Sequence, residues 1–231
     1  MDESNPPDAR PDVEPDAEES EDHDADDDND WPPGLVAVGG DLNPDTLVRA
    51  YRSGVFPWSS EPAVTWWSPD PRAIFDLATF EPNRSLRKAI RRAGWTFTTD
   101  RDFVGVMQAC AEPTPDRPST WISDSFVASY TELHRRGVAH SLEVWEGSDL
   151  VGGLYGVTFG AFFGGESMFR RRTDASKAAV SFLVEHLRAR QFELLDAQVP
   201  TSHLMSLGAI EIPRAQYLSR LARALKKDVR F

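Results

Sequence analysis

Residues 160–169 read GAFFGGESMF, residues 170–190 read RRRTDASKAAVSFLVEHLRAR, and residues 191–198 read QFELLDAQ. The first piece is an apolar run suited to a buried strand, broken by one carboxylate, Glu166. The second places Val180, Leu183, Val184 and Leu187 on one side, the spacing of an amphipathic helix. The third is another apolar run in which Asp196 and Gln198 stand two residues apart, so both leave a strand from the same face. Strand, helix and strand, with three polar groups near the strand ends, is a βαβ unit that holds a site.

Outward from this unit, the chain ends differ sharply in charge. Residues 1–30 hold fifteen acidic residues and one basic residue, Arg10, a net charge of −14. The whole chain carries −12, so residues 31–231 carry +2. The first 30 residues have no aromatic and almost no large aliphatic side chain, and are expected to be a disordered acidic extension. The single cysteine, Cys110, excludes an internal disulfide framework. No signal segment and no apolar run of spanning length is present, so a soluble, cytoplasmic protein away from membranes is expected. His23, His134, His140, His186 and His203 show no metal-ligand spacing, and no metal is expected.

Between residues 31 and 80, Gly39-Gly40 asks for a turn. Asp41 or Asn43 can cap a short helix with Leu47, Ala50 and Tyr51 on one side. Trp58, Trp66 and Trp67 lie close to prolines, which fits core packing or an aromatic platform for a base or apolar group. Residues 83–93 carry the clearest electrostatic pattern. Arg84, Arg87, Lys88, Arg91 and Arg92 fall on one helical face, with Leu86, Ala89, Ile90 and Ala93 opposite. No acidic residue interrupts them, whereas a merely solvated face would mix signs because like charges repel at i,i+4. Binding of phosphate and simple solvation are both open readings of that face. A strand and a short helix over 103–110 follow, then a proline-rich connection and a helix over 124–136. From 139 a hairpin turns at EGSD, and glycines 152, 153, 156 and 160 suggest a bulge or close approach to a ligand. Residues 202–207 fit a short helix. A last helix begins at Pro213, with Leu218, Leu221, Ala222 and Leu225 expected inside. A domain junction is placed near residue 120, giving an N-terminal domain over 31–120 and a second over 121–231.

A charged Glu166 or Asp196 in an apolar strand needs a cation, a donor or a proton. Both could be structural carboxylates paired to arginine, but the strand-end position beside Gln198 favours a site. No Ser-His-Asp, zinc or phosphate-loop pattern is present. Ala197 leaves no thiol beside Asp196, against a thioester intermediate. Direct attack by an amine on an activated ester, helped by positioning and hydrogen bonding, is the chemistry left.

The blocks GGESMF, ASK, DAQV and HLMSLGA form one set. GLVAVGGDLNPDTLVRAYRSGVFPW, WWSPDPRAI, TWI and HSLEVWEGSDLVGGLYGV precede them in order. Together they resemble the bacterial leucyl/phenylalanyl-tRNA–protein transferases across about Trp31 to Leu225. The resemblance implies an α+β protein: a C-terminal domain of the N-acetyltransferase (GNAT) type, which the order hairpin, strand, helix, strand, helix from 139 also fits, behind a smaller α+β domain. It implies transfer of leucine or phenylalanine, less so methionine, from Leu-tRNA or Phe-tRNA to proteins with N-terminal arginine or lysine. The new peptide bond creates a degradation signal. By the family's pattern the catalytic set is Asp196, Gln198 and Glu166. The first two hold and polarise the attacking amine, and Glu166 helps accept the basic residue. Whether Asp196 is the base or the tRNA ribose assists stays open. Trp58 and Trp121 match positions around the aminoacyl-adenosine, and Leu154 and Met168 match its side-chain pocket. The basic face, Arg84, Arg87, Lys88, Arg91 and Arg92, matches a tRNA-contacting cluster. A monomer without cofactor is expected. The acidic extension departs from the pattern, and Leu183 stands where the pocket often has an aromatic. An acetyl-CoA-dependent acetyltransferase would need a glycine-rich turn opening the central helix, which RRRTDASKAA lacks. A silent tRNA- or degron-binding adapter is the other rival, set against the intact Glu166, Asp196 and Gln198.

Overall fold

The computed structural model describes residues 31–114 and 118–231. The expected acidic extension lies outside the described residues. The described chain opens with β1 (Leu35–Val38), α1 (Pro44–Arg52), β2 (Phe56–Ser59) and β3 (Thr65–Trp67). The three strands form an antiparallel sheet in the order β1-β3-β2. The Asn43 side chain caps α1 by accepting from the Asp45 amide at 3.0 Å, and Asp41 accepts from the Asn43 amide. Leu47 and Tyr51 are buried, as their spacing predicts, and Ala50 is half-buried.

The chain continues through β4 (Arg72–Phe75), α2 (Arg84–Ala93), β5 (Thr96–Thr99), α3 (Phe103–Ala111) and α4 (Asp124–Arg135). The hairpin follows as β6 (Ala139–Glu146) and β7 (Asp149–Phe159). Then come β8 (Phe162–Arg170), α5 (Ala175–Ala189) and β9 (Leu194–Gln198). The last elements are α6 (Ser202–Ser206), β10 (Ile210–Ile212) and α7 (Arg214–Ala224). The class is mixed α+β. Seven strands form one sheet in the order β10-β4-β9-β8-β7-β6-β5. Its neighbours pair antiparallel except β8 and β9, which are parallel. A parallel pair needs a crossover, and α5 supplies it. The strand–helix–strand unit is therefore present as the hydrophobic pattern predicts.

Alternation along β7 sends Leu154 to one face and Tyr155 to the other. Leu154 joins the core beneath α5, with Val180, Leu183 and Leu187. Tyr155 joins the core of α3 and α4, with Phe103, Val106 and Tyr130. Helices thus cover both faces of the sheet.

The small sheet ends at Trp67, and β4 and β5, both before residue 120, belong to the large sheet. The phase of α7 differs from the expected one. Tyr217, Leu221 and Ala224 are buried, Leu218 is 37% exposed and Ala222 is exposed. Tyr217 goes inward because its hydroxyl finds buried partners there. The β7 glycines serve the protein's own packing. A Cβ at Gly152 would sit 2.6 Å from the Ala175 Cβ, and one at Gly156 would sit 2.3 Å from the Gly164 carbonyl oxygen. A register shift in β7–β8 does fall at Tyr155/Gly156, as a bulge there predicts.

Candidate functional site

Parallel pairing of β8 and β9 runs from Phe162↔Leu194 to Gly164↔Asp196. Beyond it, β9 pairs with β4, reaching Ala73↔Gln198, while β8 stays with β7. A cavity of about 190 Å³ opens at this end. Glu166, Asp196 and Gln198 line it together, as the sequence predicts. So do Trp58, Trp121, Leu154, Met168 and Leu183. Trp58 is 39% exposed at the rim and meets Trp67 edge-on at 5.5 Å. Trp66, by contrast, is core, with its indole N–H donating to the Gly39 carbonyl at 2.9 Å. Trp121 packs edge-on against Phe126. Phe75, Val180, Leu195 and Leu204 complete the apolar wall.

Asp196 is 1% exposed and fully engaged. Arg72 donates from Nε to Oδ1 at 2.9 Å and from Nη2 to Oδ2 at 2.6 Å. The Tyr217 hydroxyl donates to Oδ2 at 2.9 Å, and the Gln198 amide donates to Oδ1 at 2.8 Å. Arg72, also 1% exposed, reaches the Gly54 carbonyl as well and lies over the Phe56 and Tyr217 rings. Burial works against its charge, but Asp196 outweighs that and holds the guanidinium above its ordinary value. Burial and then Asp196 raise Tyr217 well above the usual phenol range. Bidentate charge-assisted bonds of this kind fix geometry as well as charge. What they fix is Gln198, whose φ of +65° is in the left-handed region that a non-glycine residue rarely adopts.

Gln198 in turn donates from Nε2 to Glu166 Oε1 at 2.8 Å. Its Oε1 accepts no hydrogen bond among the described residues. The Tyr130 hydroxyl donates to Glu166 Oε2 at 3.1 Å, and the Tyr51 hydroxyl bonds to Tyr130. Burial pushes the Glu166 carboxyl up to about 8, against the opposing pull of the two tyrosine hydroxyls. The same burial, with Glu166 next, holds both tyrosines well above their ordinary value.

The basic helix is a separate feature. Asn83 caps α2 by accepting from the Leu86 amide at 2.8 Å, and Gly94 ends it in the left-handed region. Arg84, Arg87, Lys88, Arg91 and Arg92 are all exposed, while Leu86 is buried and Ala89, Ile90 and Ala93 are half-buried. The chain fold adds one acid that the local pattern omits. Glu81 lies 3.5 Å from Arg87 and 4.0 Å from Arg188. Helix α5 links the two regions, giving Val180 and Leu183 to the cavity and Ser181, Glu185 and Arg188 to a groove beside α2.

Sequence reading did not find Arg72, Tyr217, Tyr51 or Tyr130 as site residues. Asp196 announces the need for a cation, but nothing local says which arginine, 124 residues away, supplies it. Among the described residues, no group of three or more His, Cys, Asp or Glu could hold a metal. No helix there is long and apolar enough to cross a membrane.

Comparison with known proteins matches residues 74–222 to the family described as leucyl/phenylalanyl-tRNA protein transferase, and residues 40–70 to that family's N-terminal domain. The chain belongs to this family. The two matched segments separate where the small sheet gives way to the large one. A protein of Shewanella sp. (strain W3-18-1), named leucyl/phenylalanyl-tRNA–protein transferase, is 50% identical over 199 residues, which are 86% of this chain and 84% of that protein. One of the same name from Anaeromyxobacter sp. (strain K) is 52% identical over 198 residues, 85% of each chain. Among solved structures, L-PGS from Bacillus licheniformis aligns at a TM-score of 0.44 and 13% identity, covering 70% of this chain and 54% of that one. That similarity is too loose to carry an argument about this fold.

Proposed function

We propose that this transferase moves leucine or phenylalanine, and less readily methionine, from aminoacyl-tRNA to the α-amine of proteins that begin with arginine or lysine. Family membership supports the donor and the reaction. The observation that carries the acceptor is the half-buried carboxyl of Glu166 beside the Gln198 amide, in a cavity walled mostly by apolar side chains. A cation entering beside Glu166 offsets the cost of ionising it there.

In this reading the apolar wall around Leu154, Met168 and Leu183 takes the donor side chain, with Trp58 and Trp121 beside the terminal adenosine. The free Oε1 of Gln198 accepts from the acceptor amine and aims its lone pair at the ester carbonyl. The amine nitrogen bonds to that carbon, and the bond from the carbon to the ribose oxygen breaks. The proton lost by the amine ends on the ribose oxygen, leaving a peptide bond and deacylated tRNA. Asp196 already receives four donors, so it holds Gln198 in place and does not take up the proton. Such positioning is a large share of what an enzyme without covalent chemistry contributes. Residues 139–224 are assigned an N-acetyltransferase-like arrangement, supported by a hairpin followed by a parallel β8–α5–β9 crossover with the site at its open end. Exposed α2 is assigned to tRNA phosphates.

The test is transfer of labelled leucine from Leu-tRNA to a peptide that starts with arginine, with an otherwise identical peptide starting with glutamate as control. Transfer to the first only is expected. No transfer, or equal transfer to both, overturns the assignment.

A further inference from the structure

Residues 170–172 are three consecutive arginines with different fates. Arg171 donates to Glu112 at 2.6 Å and Arg172 to Glu146 at 2.9 Å. Arg170 is exposed, and its side chain makes no ion pair or hydrogen bond among the described residues. Strand alternation puts Arg170 on the same face as Met168, which lines the cavity, while the register shift at Tyr155/Gly156 turns Glu166 toward Tyr130. Two other elements repeat the pattern. Lys177 stands one helical turn before the cavity residue Val180, and His203 lies between the cavity residues Thr201 and Leu204. Burial and then the charges of Arg170 and Lys177 lower the His203 imidazole from its ordinary value, so the three groups share one field. Lys177 also pairs with Asp174 at 2.9 Å.

We propose that Arg170, Lys177 and His203 form a phosphodiester site at the cavity rim, holding the RNA backbone just before the aminoacylated nucleoside. This rests on the donor being an aminoacyl-tRNA. A phosphodiester lies one nucleoside away from the reacting ester, so the strand must leave the cavity past its rim. Along β8, Glu166 and Arg170 are four residues apart, at most about 13 Å. That arrangement sorts the two substrates by charge. The cationic acceptor is drawn to Glu166 and repelled by Arg170, while the polyanion does the reverse. The site is distinct from α2. It serves the last nucleotides, and α2 serves the body of the RNA.

Two small donors separate the possibilities: the leucyl ester of adenosine, which has no phosphate, and the leucyl ester of the trinucleotide CCA. Both are too short to need α2. The double variant Arg170→Gln/Lys177→Gln is expected to raise KM for the trinucleotide by roughly 3- to 10-fold, the range of partly exposed charge pairs. It should leave KM for leucyl-adenosine and the rate at saturation unchanged. The salt slope of log KM for the trinucleotide should fall by about 0.7 per lost contact. His203→Gln should give a smaller change in the same direction, and Arg170→Lys should recover most of the loss. Unchanged KM for the trinucleotide, or an equal rise for both donors, overturns the site. If the wild type transfers from neither donor, the donor assignment fails and takes this site with it.

Discussion

The strand-end site and the basic helix are built on opposite principles. Arg72 and Asp196 are each 1% exposed and joined by two short bonds, with Tyr217 and the Gln198 amide filling the remaining acceptor positions. The five cations of α2 are all exposed, and only Arg87 has an acid within 4.0 Å among the described residues. Buried, saturated charge fixes geometry, because every departure leaves a charge without a partner. Exposed, uncompensated charge fixes nothing but attracts any polyanion, regardless of sequence. The first arrangement suits a step that needs one amide held in one orientation. The second suits capture of several tRNAs.

The largest test of this contrast is Asp196→Ala. It should lower the transfer rate by about 10²–10⁴-fold, the range of positioning and acid–base groups. It should also cost about 3–5 kcal/mol of stability, because Arg72 is left buried and unpaired. Thermal unfolding and kinetics measured together check both. Full activity, or inactivity without lost stability, would break the link drawn here between the ion pair and Gln198.

Leu183→Phe tests the cavity wall. The larger side chain should disfavour phenylalanine relative to leucine as the transferred residue by about tenfold, the scale of one or two misplaced carbons in an apolar pocket. Competition between Leu-tRNA and Phe-tRNA reads the ratio, and an unchanged ratio would remove Leu183 from the pocket.

Glu166 gives a pH test with a definite sign. Its carboxyl is raised to about 8, so it is mostly neutral at pH 7 and ionises as pH rises through 8. Preference for an arginine-starting over an alanine-starting peptide should therefore grow several-fold between pH 7 and 8.5. Both peptides share the titration of the α-amine, which cancels in the ratio. Glu166→Gln should flatten the profile, and a wild-type ratio that falls with pH would contradict the assignment. The same raised value means that the free protein loses stability as pH climbs from the ordinary carboxylate range through 8.

The smallest effects belong to α2. Arg91→Glu/Arg92→Glu should raise KM for Leu-tRNA, leave KM for the acceptor peptide unchanged and leave stability untouched. The salt dependence of tRNA binding should flatten by about 0.7–0.9 in slope per lost contact. An unaltered slope would mean that this face is only solvated.

The contrast also explains what could be read in advance. The α2 face is visible because helical spacing is local: five cations at i, i+3, i+4, i+7 and i+8 need no knowledge of the fold. The βαβ unit is legible for the same reason, and with it the joint placement of Glu166, Asp196 and Gln198. The partners of Asp196 are not. Arg72 lies on β4 and Tyr217 on α7, and only the order of the seven-stranded sheet brings them together. Hydrophobicity alone placed Leu218 inside α7, yet Tyr217 is buried because its hydroxyl completes the Asp196 set. The sheet membership of β4 and β5 is hidden for the same reason, since the other members of their sheet come later in the chain. Glu81 shows the same limit from the other side, since an acid outside the helix returns to pair with Arg87.

The most direct measurement is the single-turnover rate of leucine transfer at saturating Leu-tRNA and saturating arginine-starting peptide, for Gln198→Ala and for Arg91→Glu/Arg92→Glu. Gln198→Ala should stay slow by about 10²-fold or more however much tRNA is present, because the amine is no longer held. The helix variant should climb to the wild-type rate once enough tRNA is supplied. A Gln198 variant that reaches the wild-type rate at saturation, or a helix variant that never does, would contradict the separation of positioning from capture.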